Sequence, residues 1–509
     1  MRTRLAFMAA VALALPAISG GRAVAAPTAD TPAFPKAPPT VPGEVPKYID
    51  AYTPGMIKPK PVTIPDDVMA RLKDIPADKI DFLKSGKASS VLPSELMFKQ
   101  IRETSSSKDV AEYVDTVSAL YDKMAFHKGT DAETIPLDTA SSRFNDWHLR
   151  RPAELDPHRE PGTIQASRYI HGRGSDIPTF AGSSIALTPE DLKAAKVDIA
   201  IMGAPLDMGS GWRDARHGPT AMRVMTQGTG GTEVSSMISP TSVLKVVDYG
   251  NAAIDQNSTE RSVQEVRHMV RDIAQAGAIP VVIGGDHSLE YPDVAGIADV
   301  YGKGKVGVIH FDSHLDTGRG RVHLLDHGQP IYRAMKEGHI RPEDYIQMGI
   351  KAHYSAVDYE WERLIGMRYH TMAEIERRGW DAVMERAIQE AKKDTKYLWI
   401  SFDVDVLDPG IEPGTGTPVA GGLTMREAIP MMRRLCAEAN VVGFDIVEVA
   451  PALDPTYRTA LNANTILFSC MTGIAMRKKG ITQANYFSPL SSEHGQDNYY
   501  GTKGKGAKQ

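Results

Sequence analysis

The sequence predicts an α/β fold: a three-layer, doubly wound, mostly parallel sheet with helices on both faces, preceded by a helical extension. Three observations lead there. Short apolar runs recur from about residue 165 onward and alternate with longer helical stretches. Apolar strands separated by helices are the pattern of parallel strands buried on both faces. Most of these runs also end in a cluster of Asp, His or Glu, and open α/β sheets bind ligands beyond the carboxyl ends of their strands.

Taken in chain order, residues 1–25 read as a cleavable export signal. Arg2 and Arg4 precede an apolar run from Leu5 to Ile18 and the small-residue segment Ala23-Val24-Ala25. The run is short for a membrane span of roughly 20 residues. The arginines are not adjacent, so the twin-arginine signal is absent. The expected compartment is a bacterial periplasm. Residues 26–64 form a proline-rich arm, with Pro38-Pro39 and Lys58-Pro59-Lys60-Pro61, that cannot build a core alone. Residues 65–160 read as a helical extension, with Val110, Val114, Val117, Tyr121 and Met124 on one helical face. Its expected role is packing against the main domain or an oligomer neighbour.

The main domain spans 161–480. Its apolar runs are Val197–Met202, Ala278–Ile283, Val306–Phe311, Tyr397–Phe402 and Val441–Val447. Residues 481–509 form a polar tail. A net charge of -5 and the lack of any Lys/Arg block argue against a nucleic-acid partner. No later segment is apolar enough to cross a bilayer, so no membrane partner is expected after signal cleavage. The two cysteines, Cys436 and Cys470, lie in apolar stretches and are read as buried thiols rather than a bridge.

The chemistry concentrates at the ends of three runs. Asp312, His314 and Asp316 alternate, and alternate residues of an extended segment face one side. Asp403 and Asp405 do the same after a second run, and His287 ends a third. Four carboxylates and two imidazoles exceed what one tetrahedral zinc with an open position needs. They suit two divalent ions about 3.5–4 Å apart with shared carboxylates. Oxygen-rich ligation with some imidazole favours Mn2+, with Ni2+, Co2+ or Fe2+ as other occupants.

Taken together, Gly284-Gly285-Asp286-His287-Ser288, Phe311–Asp316, Ser401–Pro409, Gly414–Pro418, Gly421–Thr424 and Glu448–Pro451 resemble the signature blocks of the ureohydrolase (arginase/agmatinase) family, closest to its agmatinase and guanidino-acid hydrolase members. The resemblance runs from about 165 to 475. It implies an arginase-like fold, two Mn2+, a small guanidino substrate, release of urea and an amine, no organic cofactor, and a homo-trimer or homo-hexamer. It further implies that Asp312 and Asp403 bridge the metals, that His287 and Asp316 complete one site, and that His314 and Asp405 complete the other. Asp316 would relay a proton, His327 would exchange protons with solvent, and Glu448 would grip the guanidinium. The block Arg213-Asp214-Ala215-Arg216-His217-Gly218-Pro219 departs from the family pattern by being one residue shorter, and Ser313 stands where Ala is usual. Both the shorter block and the loop carrying Arg319, Arg321 and His323 bear on which tail the substrate carries. If Arg319 or Arg321 faces inward, a carboxylate tail is favoured; otherwise both are solvated rim residues. Two other readings stay open: a formimino or other amidine hydrolase, and an exported metal- or ligand-binding relative without catalysis.

If the signal reading holds, expression of the whole chain in a bacterial host yields a periplasmic protein whose mass lacks residues 1–25. A full-length chain retained in the membrane fraction would favour an anchor.

Overall fold

The computed structural model describes residues 39–49, 60–124, 159–165, 177–226, 231–319, 325–393 and 395–492. The export signal, Arg321, His323 and the tail beyond 492 lie outside them. So does the later part of the helical extension.

Nine strands form one sheet: β1 (Ser184–Ile185), β2 (Ile199–Ala204), β3 (Val246–Asn251), β4 (Ile279–Gly284), β5 (Val306–Phe311), β6 (Tyr345–Ile350), β7 (Arg368–Thr371), β8 (Tyr397–Asp403) and β9 (Val441–Val447). Their spatial order is β1-β3-β2-β4-β9-β8-β5-β6-β7, and every pairing between them is parallel. The five apolar runs of the sequence become β2, β4, β5, β8 and β9. The other four strands were not read as such. β3 and β7 carry polar residues (Val-Val-Asp-Tyr-Gly-Asn and Arg-Tyr-His-Thr), and β1 is only two residues long.

The period of two along each strand divides its residues between two cores. Ile199, Ile201, Val281, Ile283, Ile309 and Phe311 face helices Trp380–Lys393, Met425–Glu438 and Arg458–Lys478. Ala200, Met202, Val282, Val306 and Val308 face helices Thr259–Gln275 and Glu290–Tyr301. This is the three-layer α/β architecture that the sequence predicted. The connection from β4 to β5 skips two places, and the last two strands, β9 and β8, fill the gap. The carboxyl ends of β4, β9, β8 and β5 therefore stand side by side at the topological switch.

Helices α1 (Asp66–Met69), α2 (Ala77–Lys84), α3 (Ser94–Glu103) and α4 (Ser107–Met124) build a core of their own. Pro65, Pro76 and Pro93 each stand at the N-cap of a helix, where the fixed proline φ fits and the missing N–H costs nothing. Val110, Val114 and Val117 are buried against Leu72, Leu83, Met97 and Ile101. The arm segment 39–49 docks on the α/β domain. Ile49 is buried in the second core, Trp361 Nε1 donates to its carbonyl at 3.0 Å, and Thr40 N donates to Glu343 Oε1 at 2.7 Å. Among the described residues, no helix is long and apolar enough to cross a membrane.

The reading of Cys436 and Cys470 as thiols is corrected. They are buried, but joined in a disulfide that ties helix Met425–Glu438 to helix Arg458–Lys478, with Cα atoms 5.2 Å apart. Gly473 permits the approach. A Cβ there would stand 2.3 Å from the Arg433 carbonyl oxygen and 2.7 Å from Cys436 Cβ. Nothing local to either cysteine reports this contact between helices.

The bridge spans 34 residues, so in the chain-entropy account its removal costs about 3–4 kcal/mol. Cys436→Ala with Cys470→Ala should lower stability by that order in denaturant titrations. The unreduced, unfolded wild type should titrate no thiol; two thiols per chain would restore the earlier reading.

Candidate metal centre and active site

Each predicted metal ligand, and Glu448, lies at the carboxyl edge of one of the four central strands, while His327 lies in the loop before helix Pro330–Lys336. His287 follows β4, Glu448 follows β9, Asp403 and Asp405 end and follow β8, and Asp312, His314 and Asp316 follow β5. The loops are not extended, so alternation does not bring the side chains together. His287 opens one 3-10 turn and Val404–Val406 forms another, over which the Asp403 Oδ1 accepts from Asp405 N at 2.8 Å. Asp312 Oδ1 accepts from His314 N at 2.5 Å, and Asp316 has a positive φ of 48°. The convergence survives; its cause is turn geometry at the strand ends.

Gly285 makes room for this edge, since a Cβ there would lie 1.7 Å from the Leu206 carbonyl oxygen. Gln347 Nε2 donates to Leu315 O at 2.7 Å, and Asp312 N donates to Met348 O at 3.0 Å, so β6 braces the β5 loop. Ser313 Oγ donates to the Asp405 carbonyl at 2.6 Å and Ser313 N to its Oδ1 at 3.0 Å. The unusual serine thus links the two acidic loops.

Two donor groups result. His287 Nδ1 lies 2.9 Å from Asp312 Oδ2, 3.1 Å from Asp316 Oδ2 and 3.2 Å from Asp403 Oδ2. His314 Nδ1 lies 3.3 Å from Asp312 Oδ1 and 3.0 Å from Asp405 Oδ2. Asp312 thus offers one oxygen to each group, as a bridging ligand does. Three carboxylate oxygens around one ring nitrogen cannot all share its single proton. His287 Nδ1 and Asp312 Oδ2 are buried without a well-directed hydrogen bond. Neighbouring ligands of a six-coordinate ion at about 2.1 Å stand roughly 3 Å apart, which is the spacing found here. The residues fit two divalent cations.

Burial and mutual repulsion push protons onto this cluster when no cation is present. Burial disfavours the charged forms of His287 and His314. The surrounding Asp residues outweigh it, raising His287 well above the usual imidazole range and His314 to about 12. Burial, then Asp405 and Asp312, raise Asp403 well above the carboxylate range; burial and Asp312 raise Asp405 to about 6. Asp312 alone goes the other way, because His287, His310 and His314 override its burial.

Glu448 is fully buried, with a positive φ of 65°. Its Oε1 accepts from His287 N at 3.0 Å and lies 2.9 Å from His327 Nδ1. Its Oε2 has no partner and is buried. Burial disfavours the His327 imidazolium, but Glu448 outweighs that and raises it to about 9. The Arg319 guanidinium, whose direction the sequence left open, is stacked 4.5 Å over the Trp361 ring.

Sequence reasoning missed the layer beneath. Gln347, His310, Ser401 and Asp445 are register partners across β6, β5, β8 and β9. Ser401 Oγ is 3.0 Å from His287 Nε2 and donates to Asp445 Oδ1 at 2.7 Å. Glu290 lies 3.1 Å from His310 Nδ1 and accepts from Tyr345 OH at 2.7 Å. His287 and His310 stack at 4.8 Å, and His287, Glu290 and His310 form a third group with ligand spacing. The available signal was a polar residue inside three of the apolar runs, His310, Ser401 and Asp445. A metal-ligating histidine needs such a partner on its second nitrogen to hold its tautomer and ring orientation.

A model of the arginase family matches residues 197–473. The chain is 33% identical over 307 residues to the guanidinopropionase of Pseudomonas aeruginosa, covering 59% of this chain and 94% of that protein. It is 35% identical over 296 residues to an agmatinase of Chromobacterium violaceum, covering 56% and 85%. Among solved structures, a hypothetical agmatinase from Burkholderia thailandensis superposes with a TM-score of 0.54 at 30% identity, covering 63% of this chain and 99% of that one.

Because both imidazoles hold protons in the metal-free protein, loading two divalent ions near neutral pH should release protons, and affinity should weaken as pH falls. A pH-stat titration alongside metal analysis measures both. Asp312→Asn should retain at most one ion per chain; two retained ions would remove Asp312 from the bridging position.

Proposed function

Since this chain belongs to the arginase family, we propose that it hydrolyses a guanidino C–N bond of a small linear amidine, releasing urea and an amine, with two Mn2+ held by His287, Asp312, His314, Asp316, Asp403 and Asp405. The observation that carries this reading is the pairing of the two donor groups with the unpartnered Glu448 Oε2 beside them. Two bound cations would neutralise the carboxylates and supply a hydroxide at neutral pH.

The chain's own residues do the rest. Glu448 Oε2 accepts hydrogen bonds from the planar guanidinium and aims its carbon at the cluster. Its Oε1 is already committed to His287 N and His327, which holds the carboxylate in one orientation. Once the carbon is tetrahedral, an Asp316 carboxylate oxygen takes the proton and delivers it to the leaving nitrogen. His327, raised by Glu448 and only partly buried, exchanges protons with solvent. The relatives' names, which include guanidinopropionase and agmatinase, support a guanidino substrate. We further propose that the mature chain is exported, which the Cys436–Cys470 bridge supports, since disulfides persist in oxidising compartments. A trimer or hexamer is proposed on the family resemblance.

The test is urea release by the purified chain reconstituted in parallel with Mn2+ and Ni2+. The panel is agmatine, guanidinobutyrate, guanidinopropionate, arginine and guanidine. Urea from one of them is expected, with Glu448→Gln lowering kcat/KM by at least roughly 100-fold. With two metals bound and no urea from any compound, a formamide-releasing or purely binding relative becomes the better reading.

A further inference from the structure

β6 ends in a bulge. Met348 pairs with His370 of β7 and Ile350 with Thr371, which leaves Gly349 as the extra residue, with a φ of 95°. A bulge bends its strand and re-aims the side chains beside it. Glycine is required here, because a Cβ at 349 would stand 2.3 Å from Val406 Cγ2. The end of β6 is thereby pressed against the turn Val404–Val406 that carries Asp405, although β8 lies two places away in the sheet.

Lys351 is the second residue after this glycine. Its N and the N of Ala352 both donate to Ser313 O, at 3.1 and 3.0 Å. Its half-buried side chain reaches past the β5 loop, and Nζ donates to the carbonyls of Asp405 at 2.8 Å, Val406 at 3.0 Å and Leu407 at 3.2 Å. Strands two places apart are separated by roughly 10 Å, so a long side chain is needed to bridge them. An ammonium has three donors, and all three are used. They go to main-chain oxygens, so the Asp405 carboxylate keeps His314 Nδ1, Ser313 N and Thr417 Oγ1 as its neighbours. Gly422 leaves space for the ammonium, since a Cβ there would lie 2.4 Å from Nζ.

We propose that Lys351 is the positioning residue of the His314–Asp405 half of the centre: it holds the acidic loops after β5 and β8 against each other and so sets the affinity of that half for its cation. The inference rests on the two-cation reading above and adds a residue that is not itself a ligand. Asp405 reaches its place through the path of its own backbone, and a short 3-10 turn closed by Leu407 N on Val404 O at 3.1 Å fixes that path weakly. Three hydrogen bonds from a charged donor fix it far better than neutral ones would. The other half has separate supports: His287 Nε2 lies 3.0 Å from Ser401 Oγ, and its N donates to Glu448 Oε1 at 3.0 Å.

The test titrates the full chain, stripped of metal, with Mn2+ alone in a calorimeter, in wild type, Lys351→Met, Lys351→Arg and Gly422→Ala. Wild type should take up two ions. Lys351→Met should hold one with near wild-type affinity and bind the other roughly 10- to 100-fold more weakly. Lys351→Arg should recover part of that loss, since a guanidinium also donates to carbonyls. Gly422→Ala, whose methyl displaces Nζ, should weaken the same ion, and it decides the matter if Lys351→Met does not fold. At a Mn2+ concentration that just saturates wild type, paramagnetic resonance should show a coupled pair in wild type and an isolated ion in Lys351→Met. Added to His314→Ala, Lys351→Met should cost the remaining ion nothing further. Two ions bound with wild-type affinity in Lys351→Met, or equal weakening of both, overturns the proposal. A wild type that binds fewer than two ions sinks the two-cation reading, and this assignment with it.

Discussion

Charge crowding at the carboxyl edge of the central strands is the constraint that the rest of the structure serves. Four aspartates and two histidines converge there, and Asp312, Asp403 and Asp405 are almost wholly excluded from water. Carboxylates at hydrogen-bond distance from one another's partners cannot all stay ionised in such a place. Protons relieve the repulsion in the metal-free chain, and divalent ions relieve it better, because each neutralises two charges while satisfying several lone pairs. Metal binding, proton release and local order are therefore one equilibrium.

The sheet is arranged to hold that crowd still. By leaving a gap between β4 and β5 and filling it last with β9 and β8, the chain places four loop starts on adjacent strands. The polar row Gln347–His310–Ser401–Asp445 lies one step below: the first three brace a ligand or its loop, and Asp445 holds Ser401. Asp293, buried with neither oxygen hydrogen-bonded, is pushed above the carboxylate range by burial and by Asp445 and Glu290.

Around this centre the decoration is separable. The helices α1–α4 keep a core of their own, while the arm at 39–49 is stitched into the α/β domain through Ile49 and Trp361. Two arginines of the loops are held by indoles: Arg216 on Trp212 and Arg319 on Trp361.

The composition of the site was legible in the sequence, because a two-metal centre demands a particular donor set and such sets are rare by chance. His287, Asp312, His314, Asp316, Asp403, Asp405, His327 and Glu448 could all be named, as could five strands from their apolar runs. β3 and β7 were hidden by their polar residues. The Cys436–Cys470 bridge, the row under the metals and the Arg216–Trp212 pair were hidden for another reason. Each joins residues distant in sequence or turned by a strained φ, and no local pattern encodes a contact. What the sequence determined by itself was which chemical groups stand at strand ends, since strand periodicity and ligand chemistry are local. Which groups meet was decided only by the order of strands and the path of the loops, because side-chain direction there follows from backbone geometry fixed by long-range packing.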